Sequence, residues 1–88
     1  MISADDARAL MNRKLYEEKV KQYEQKIEKH IIQAAKNNHL NVMMTLTDDY
    51  PLFEKVLSEV LQNFADHGFE VIYAWVDFNK YAVSIVWQ

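Results

Sequence analysis

The side chains whose types invite chemistry are three histidines, an aspartate pair, a lone aspartate in a hairpin and two aromatics on a strand. His30, His39 and His67 could ligate a metal ion. Metal-binding histidines recur at short spacings, i and i+4 on a helix or across a tight loop, so that both reach one ion. No pair here has that spacing. Asp48-Asp49 could hold a cation, but an acidic pair directly before a helix more commonly caps its amides. Asp77 could act as a base, but a charge beside a turn more commonly discourages strand-to-strand pairing. With one Gly and no Cys, the chain has little with which to build a phosphate loop, a nucleophile elbow or a thiolate metal site. No catalytic residue, metal ligand or cofactor site is assigned, and an enzyme is not expected.

Tyr73 and Trp75 could stack on nucleic-acid bases, as aromatic platforms on open sheets do. Phosphates also need cations. The hairpin that carries these aromatics offers only Lys80, and the chain has a net charge of −3. Aromatic residues are equally at home in protein interfaces, so protein contact is favoured over nucleic acid.

Several elements must position these side chains. Residues 69–78 and 81–88 are rich in β-branched and aromatic types, and Asn79-Lys80 between them suits a tight turn. Such a turn pairs Phe78 with Tyr81 and Val76 with Val83. Strict alternation then puts Ile72, Ala74, Val76, Phe78, Tyr81, Val83, Ile85 and Trp87 on a core face. The opposite face holds Val71, Tyr73, Trp75, Asp77, Ala82, Ser84, Val86 and Gln88. It is more apolar than a solvated face should be, so a cover is expected, from a partner chain or from the first helix. A register slip by one residue would exchange the faces of one strand.

Ser3 and Asp6 form a variant capping box at the start of a helix predicted over 4–36. Tyr16, Val20, Tyr23, Ile27, Ile31 and Ala34 make its apolar stripe, and Asn37-Asn38 ends it. Residues 40–47 alternate, with Leu40, Val42, Met44 and Leu46 on one side and Asn41, Met43, Thr45 and Thr47 on the other, as in a half-buried strand. Pro51 suits the first position of a helix over 51–67 whose face is Leu52, Phe53, Val56, Leu57, Val60, Leu61 and Phe64. Gly68 caps its end, and Phe69 is placed to fold back on Leu61 or Phe64. The order α-β-α-β-β implies an α+β domain. Both helices pack on one face of a three-stranded antiparallel sheet with the last strand central.

One length is mismatched. A helix over 4–36 spans roughly 50 Å, whereas eight-residue strands span about 26 Å. Its first turns must overhang, fold back on the sheet or meet another chain. Leu10, Met11 and Leu15 point away from the later stripe and suit a second contact. The expected interaction surface is therefore Val71, Tyr73, Trp75, Val86 and Met43 on the sheet, with Leu10, Met11 and Leu15 on the helix.

Eighty-eight residues, half of them hydrophobic and a quarter charged, describe one ordinary globular domain with a modest core. Self-association is a common source of further stability for such a chain, and a two-fold dimer is its commonest form. The acidic start is unlike a secretory signal. No uncharged run approaches the ~20 residues of a membrane span. No membrane partner is expected and nucleic acid is disfavoured, a single-stranded nucleic-acid binder using the sheet aromatics and a small-molecule-binding or sequestering protein being the alternative readings, and the cytoplasm is the expected compartment.

The chain resembles a group of small proteins encoded by tailed bacteriophages and prophages. The matching pieces are Ser3-Ala4-Asp5-Asp6-Ala7-Arg8, Ile27-x-x-x-Ile31-x-x-Ala34-Ala35, Gly68-Phe69-x-Val71 and Ile85-x-Trp87. Asn37-Asn38 stands where such proteins often have Gly. The resemblance implies a host bacterial cytoplasm, a host or phage protein as a possible partner, and no catalytic residues.

Overall fold

The computed structural model describes residues 1–9 and 13–88. Its elements are α1 (Ala4–Ala9), α2 (Arg13–Lys36), β1 (Asn41–Thr47), α3 (Phe53–Asp66), β2 (Glu70–Asp77) and β3 (Lys80–Val86). The reciprocal capping box is present: Asp6 N–H donates to Ser3 Oγ at 3.1 Å, and Ser3 N–H donates to Asp6 Oδ2 at 3.2 Å. Of the helix expected over 4–36, the described residues hold Ala4–Ala9 as α1 and Arg13–Lys36 as α2, and Leu10 and Met11 lie outside the described residues.

The three strands form one antiparallel sheet in the order β1-β3-β2, with β3 central as expected. The α2 stripe delivers Tyr23, Ile27 and Ile31 to the core, and α3 delivers Phe53, Val56, Leu57, Val60 and Leu61. Leu46, Tyr81, Val83 and Ile85 meet them from the sheet. Tyr23, Phe53 and Tyr81 stack in tilted pairs, with ring centroids 5.2 and 6.0 Å apart. Helix α2 packs on α3 and β1, whereas α3 reaches β2.

Both long helices end in the same way. Gly68 takes a φ of 95°, Gly68 N–H donates to Ala65 O, and Phe69 N–H donates to Phe64 O. The Phe69 ring meets Phe64 edge-on at 5.7 Å, the fold-back contact expected at this cap. At the end of α2, Asn38 takes a φ of 64°, Asn38 N–H donates to Ala35 O, and His39 N–H donates to Ala34 O. Only a residue that tolerates left-handed backbone can stand there, and glycine does so at least steric cost. Asn38→Gly is expected to stabilise the fold by about 0.5 kcal/mol. A thermal melt reads this as a rise of a few degrees, and a fall would mean that the asparagine side chain contributes more than its backbone costs.

The hairpin departs from its expected register. Asp77 pairs with Lys80, so the turn is Phe78-Asn79 rather than Asn79-Lys80. That shift by itself would keep the expected faces. A bulge between Trp75 and Asp77 then adds one residue to β2, so Trp75 lies opposite Tyr81, Tyr73 opposite Val83 and Val71 opposite Ile85. One extra residue on one strand exchanges that strand's faces. Ile72 and Ala74, expected in the core, are exposed beside Ala82 and Ser84, whereas Val71, Tyr73 and Trp75 share the helix side with Tyr81, Val83 and Ile85.

Candidate functional site

Strand β2 is an edge strand, paired only with β3. Its exposed apolar content sets it apart: Ile72 is 68% exposed, Tyr73 41%, Trp75 67%, Val76 48% and Phe78, in the turn after it, 81%. With aromatic side chains presenting ~150–250 Å² each, these five leave on the order of 600 Å² of apolar surface in water. Divided between the two sides of the strand and the turn, it totals as much as the largest single apolar patch of a typical monomer. The other edge, β1, is different. It turns Val42, Met44 and Leu46 inward and presents Asn41, Thr45 and Thr47 with Met43 outward.

The two sides of β2 are uncovered for different reasons. On the open side, among the described residues, no element covers Ile72 and Ala74, because both long helices pack on the opposite face. On the helix side α3 protects the start of the strand, where Val71 packs against the core. It leaves the later part bare. Tyr73 rests its ring edge-on against Tyr81 at 6.0 Å, and Trp75 extends past it into solvent. The surroundings are acidic: Tyr81 is held above its ordinary pKa by burial and by the neighbouring Glu54, and Asp77 ends the strand. Such a setting suits a polypeptide better than a phosphate backbone.

A polar cluster beneath the hairpin tip sets where β2 ends. Asp48 Oδ2 accepts from Tyr23 Oη at 2.6 Å and from Lys19 Nζ at 2.9 Å, and Asp48 Oδ1 accepts from Tyr50 N–H at 2.8 Å. Burial alone would raise its pKa, but the hydrogen bonds from Tyr23, Lys19 and the Tyr50 amide outweigh it and hold the carboxyl down at about 2. Burial and the same carboxylate push the Tyr23 hydroxyl up. Asp48 N–H donates to Asn79 O at 3.2 Å, and Asn79 Nδ2 donates to Tyr50 O at 3.1 Å. The hairpin tip is thereby tied to the loop before α3, with Asn79 at a φ of 49°. Asp48 is thus not a cap of α3, whose N-cap is Leu52 with no side-chain hydrogen bond.

The expected surface residues are dispersed. Tyr73 and Trp75 lie together and exposed on the helix side, although neither is covered by the first helix as one expectation had it: residues 1–7 and 13–15 are themselves exposed. Val71 is half-buried in the core margin. Met43 and the half-buried Val86 are on the open face, on β1 and β3. Leu15 is exposed on the first turn of α2, at one end of a molecule 54 Å long. Ile72, Val76 and Phe78, expected in the core, were missed as surface residues. Asn79, the residue in this hairpin suited to left-handed backbone, was the available signal for a Phe78-Asn79 turn, but no local feature marks the bulge.

Other sites are weaker. The space between sheet and helices is filled by the core. A shallow groove of about 440 Å³ runs along the outer flank of α2 and α3, with Ile31, Ile32, Phe64 and Phe69 among its lining and Glu24 and Glu28 on its rim. Among the described residues no three His, Asp or Glu side chains gather as metal ligands, and no helix is long and apolar enough to cross a membrane. No family model, curated protein or solved structure matches the chain.

Proposed function

We propose that this chain is a small interaction protein that associates with a second copy of itself through β2. The observation that carries this reading is the concentration of exposed apolar side chains on one edge strand, Ile72, Tyr73, Trp75, Val76 and the adjoining Phe78. A standard interface buries about 800 Å² on each partner. The ~600 Å² exposed by these side chains, with the unpaired strand backbone and Ala74 beside them, approaches that area. The small core gives association a second advantage, because burying this surface adds stability that 88 residues otherwise lack. The resemblance to phage and prophage proteins supports a bacterial cytoplasm as the setting.

Light scattering at micromolar concentration is expected to give twice the 10.4 kDa chain mass. Trp75→Ser is expected to raise the dissociation constant by roughly 30-fold or more, the effect of losing an aromatic anchor worth about 2 kcal/mol. The melting of the dilute monomer should barely move, since Trp75 lies outside the core. A monodisperse monomer across the concentration range would dismiss this function. Oligonucleotide added at low salt should leave tryptophan fluorescence unchanged, and salt-sensitive quenching would point to nucleic acid instead.

A further inference from the structure

Resting on that reading, we infer the form of the association: β2 of each copy adds antiparallel to β2 of the other about a two-fold axis through Tyr73, joining two three-stranded sheets into one of six strands. An edge strand has one row of backbone N–H and C=O groups without partners, and a second edge supplies them. Of the two edges, β2 leaves apolar side chains exposed on both faces whereas β1 leaves Met43 exposed on one, so β2 gains on both when another strand lies beside it.

The register follows from where β2 is regular. Between Glu70 and Trp75 its pairing with β3 is uninterrupted, and the bulge comes after Trp75. Centring the axis on Tyr73 uses only residues 71–75. Tyr73 faces Tyr73 of the second copy, Val71 faces Trp75, and Ile72 faces Ala74. The paired span excludes Glu70 and Asp77, so no carboxylate enters it. An axis through Ala74 would instead set the bulged Val76 against Ile72 and Asp77 against Val71. A parallel arrangement in register would stack Glu70 on Glu70 and Asp77 on Asp77, with like charges directly opposed.

This geometry also explains the bare aromatics. A two-fold axis normal to the sheet keeps both helix layers on one side. Because α3 covers only the start of β2, a trough opens over the join between the two copies of α3. Tyr73 and Trp75 from each copy stand in that trough and meet across the axis. Aromatic cross-strand neighbours are among the more favourable pairs in sheets.

Hydrogen exchange of the wild-type chain, compared between dilute and concentrated samples, tests the mode separately from the mass. Strand addition protects alternate amides of residues 71–75, those pointing away from β3. Their exchange should slow by on the order of tenfold or more on association, while the intervening amides, already bonded to β3, hardly change. A dimer by light scattering without this alternation overturns strand addition and leaves self-association standing. A monomer overturns both. The chain has no cysteine, so single introduced cysteines report the register. Tyr73→Cys should cross-link under mild oxidation, because facing residues lie about 4.5–5.5 Å apart. Val71→Cys should not, because its two copies are separated by roughly 14 Å along the strands. Cross-linking at Val71→Cys but not at Tyr73→Cys overturns this register.

Discussion

Ile85→Ser is expected to destabilise the fold by roughly 3–5 kcal/mol, while Val76→Ser costs less than about 1 kcal/mol. Ile85 has no exposed surface and sits on the central strand against both β1 and β2. Serine there removes a full aliphatic side chain, leaves a cavity between sheet and α3, and buries a hydroxyl with no prepared partner. At about 4–8 °C for each kcal/mol in a domain of this size, the melting temperature should fall by some 15–30 °C. Val76 is a near-isosteric contrast on the neighbouring strand. It occupies the bulge and is half in solvent, so serine there loses little buried area. Circular-dichroism melts of the two variants, run in dilute solution, decide between the faces. Ile85 stays in the core whichever face β2 turns inward, so a collapse with Val76→Ser as well would mean that β2 pairs without its bulge.

The second large effect is expected at Asp48. Asp48→Ala should cost about 2–3 kcal/mol, because it leaves the Tyr23 hydroxyl and the Lys19 ammonium without the acceptor they share and removes the acceptor of the Tyr50 amide. The loss should be felt at the hairpin tip as well, since the same loop holds Asn79. The carboxyl also predicts a pH dependence. Its folded pKa of about 2 lies below its ordinary 3.8, so its contribution is fully present above pH ~4 and is lost as pH falls through about 2. With the side chain only 8% exposed, that contribution is on the order of 1–2 kcal/mol after allowance for partial screening. Wild-type melting temperatures should therefore fall more steeply between pH 4 and 2 than those of Asp48→Asn, which carries no such titration. Parallel slopes for the two proteins would show that other carboxylates govern acid unfolding. Lys19 also stands 5.9 Å from the Tyr50 ring centroid, so Lys19→Met should reproduce part of the Asp48 effect.

The elements that depend on neighbours along the chain could be read from the sequence. The Ser3–Asp6 capping box, the Tyr23-Ile27-Ile31 stripe, the alternation from Val42 to Leu46 and the Gly68 stop are all local patterns. Each stands in the fold as the periodicity or the cap requires. The antiparallel sheet with β3 central also follows from element order and from the need to leave one face open.

The face of β2 is another matter. Both faces of the strand are apolar, so the pattern could not say which is buried, and with a period of two a single inserted residue reverses the answer. The tertiary contacts make that choice. Asn79 is held by Tyr50 and Asp48, which are 29 and 31 positions away in sequence (79 − 50 and 79 − 48), and the loop carrying them is fixed to α2 through Tyr23 and Lys19. With the tip anchored and Tyr81, Val83 and Ile85 committed to the core, the extra residue falls at Val76. Tyr73 and Trp75 then lie on the helix side, beyond the reach of α3. Tyr73 and Trp75 could be read from the sequence as surface residues, whereas Ile72, Val76 and Phe78 could not. Their exposure depends on strand order, helix placement and one bulge, which only the packed chain determines.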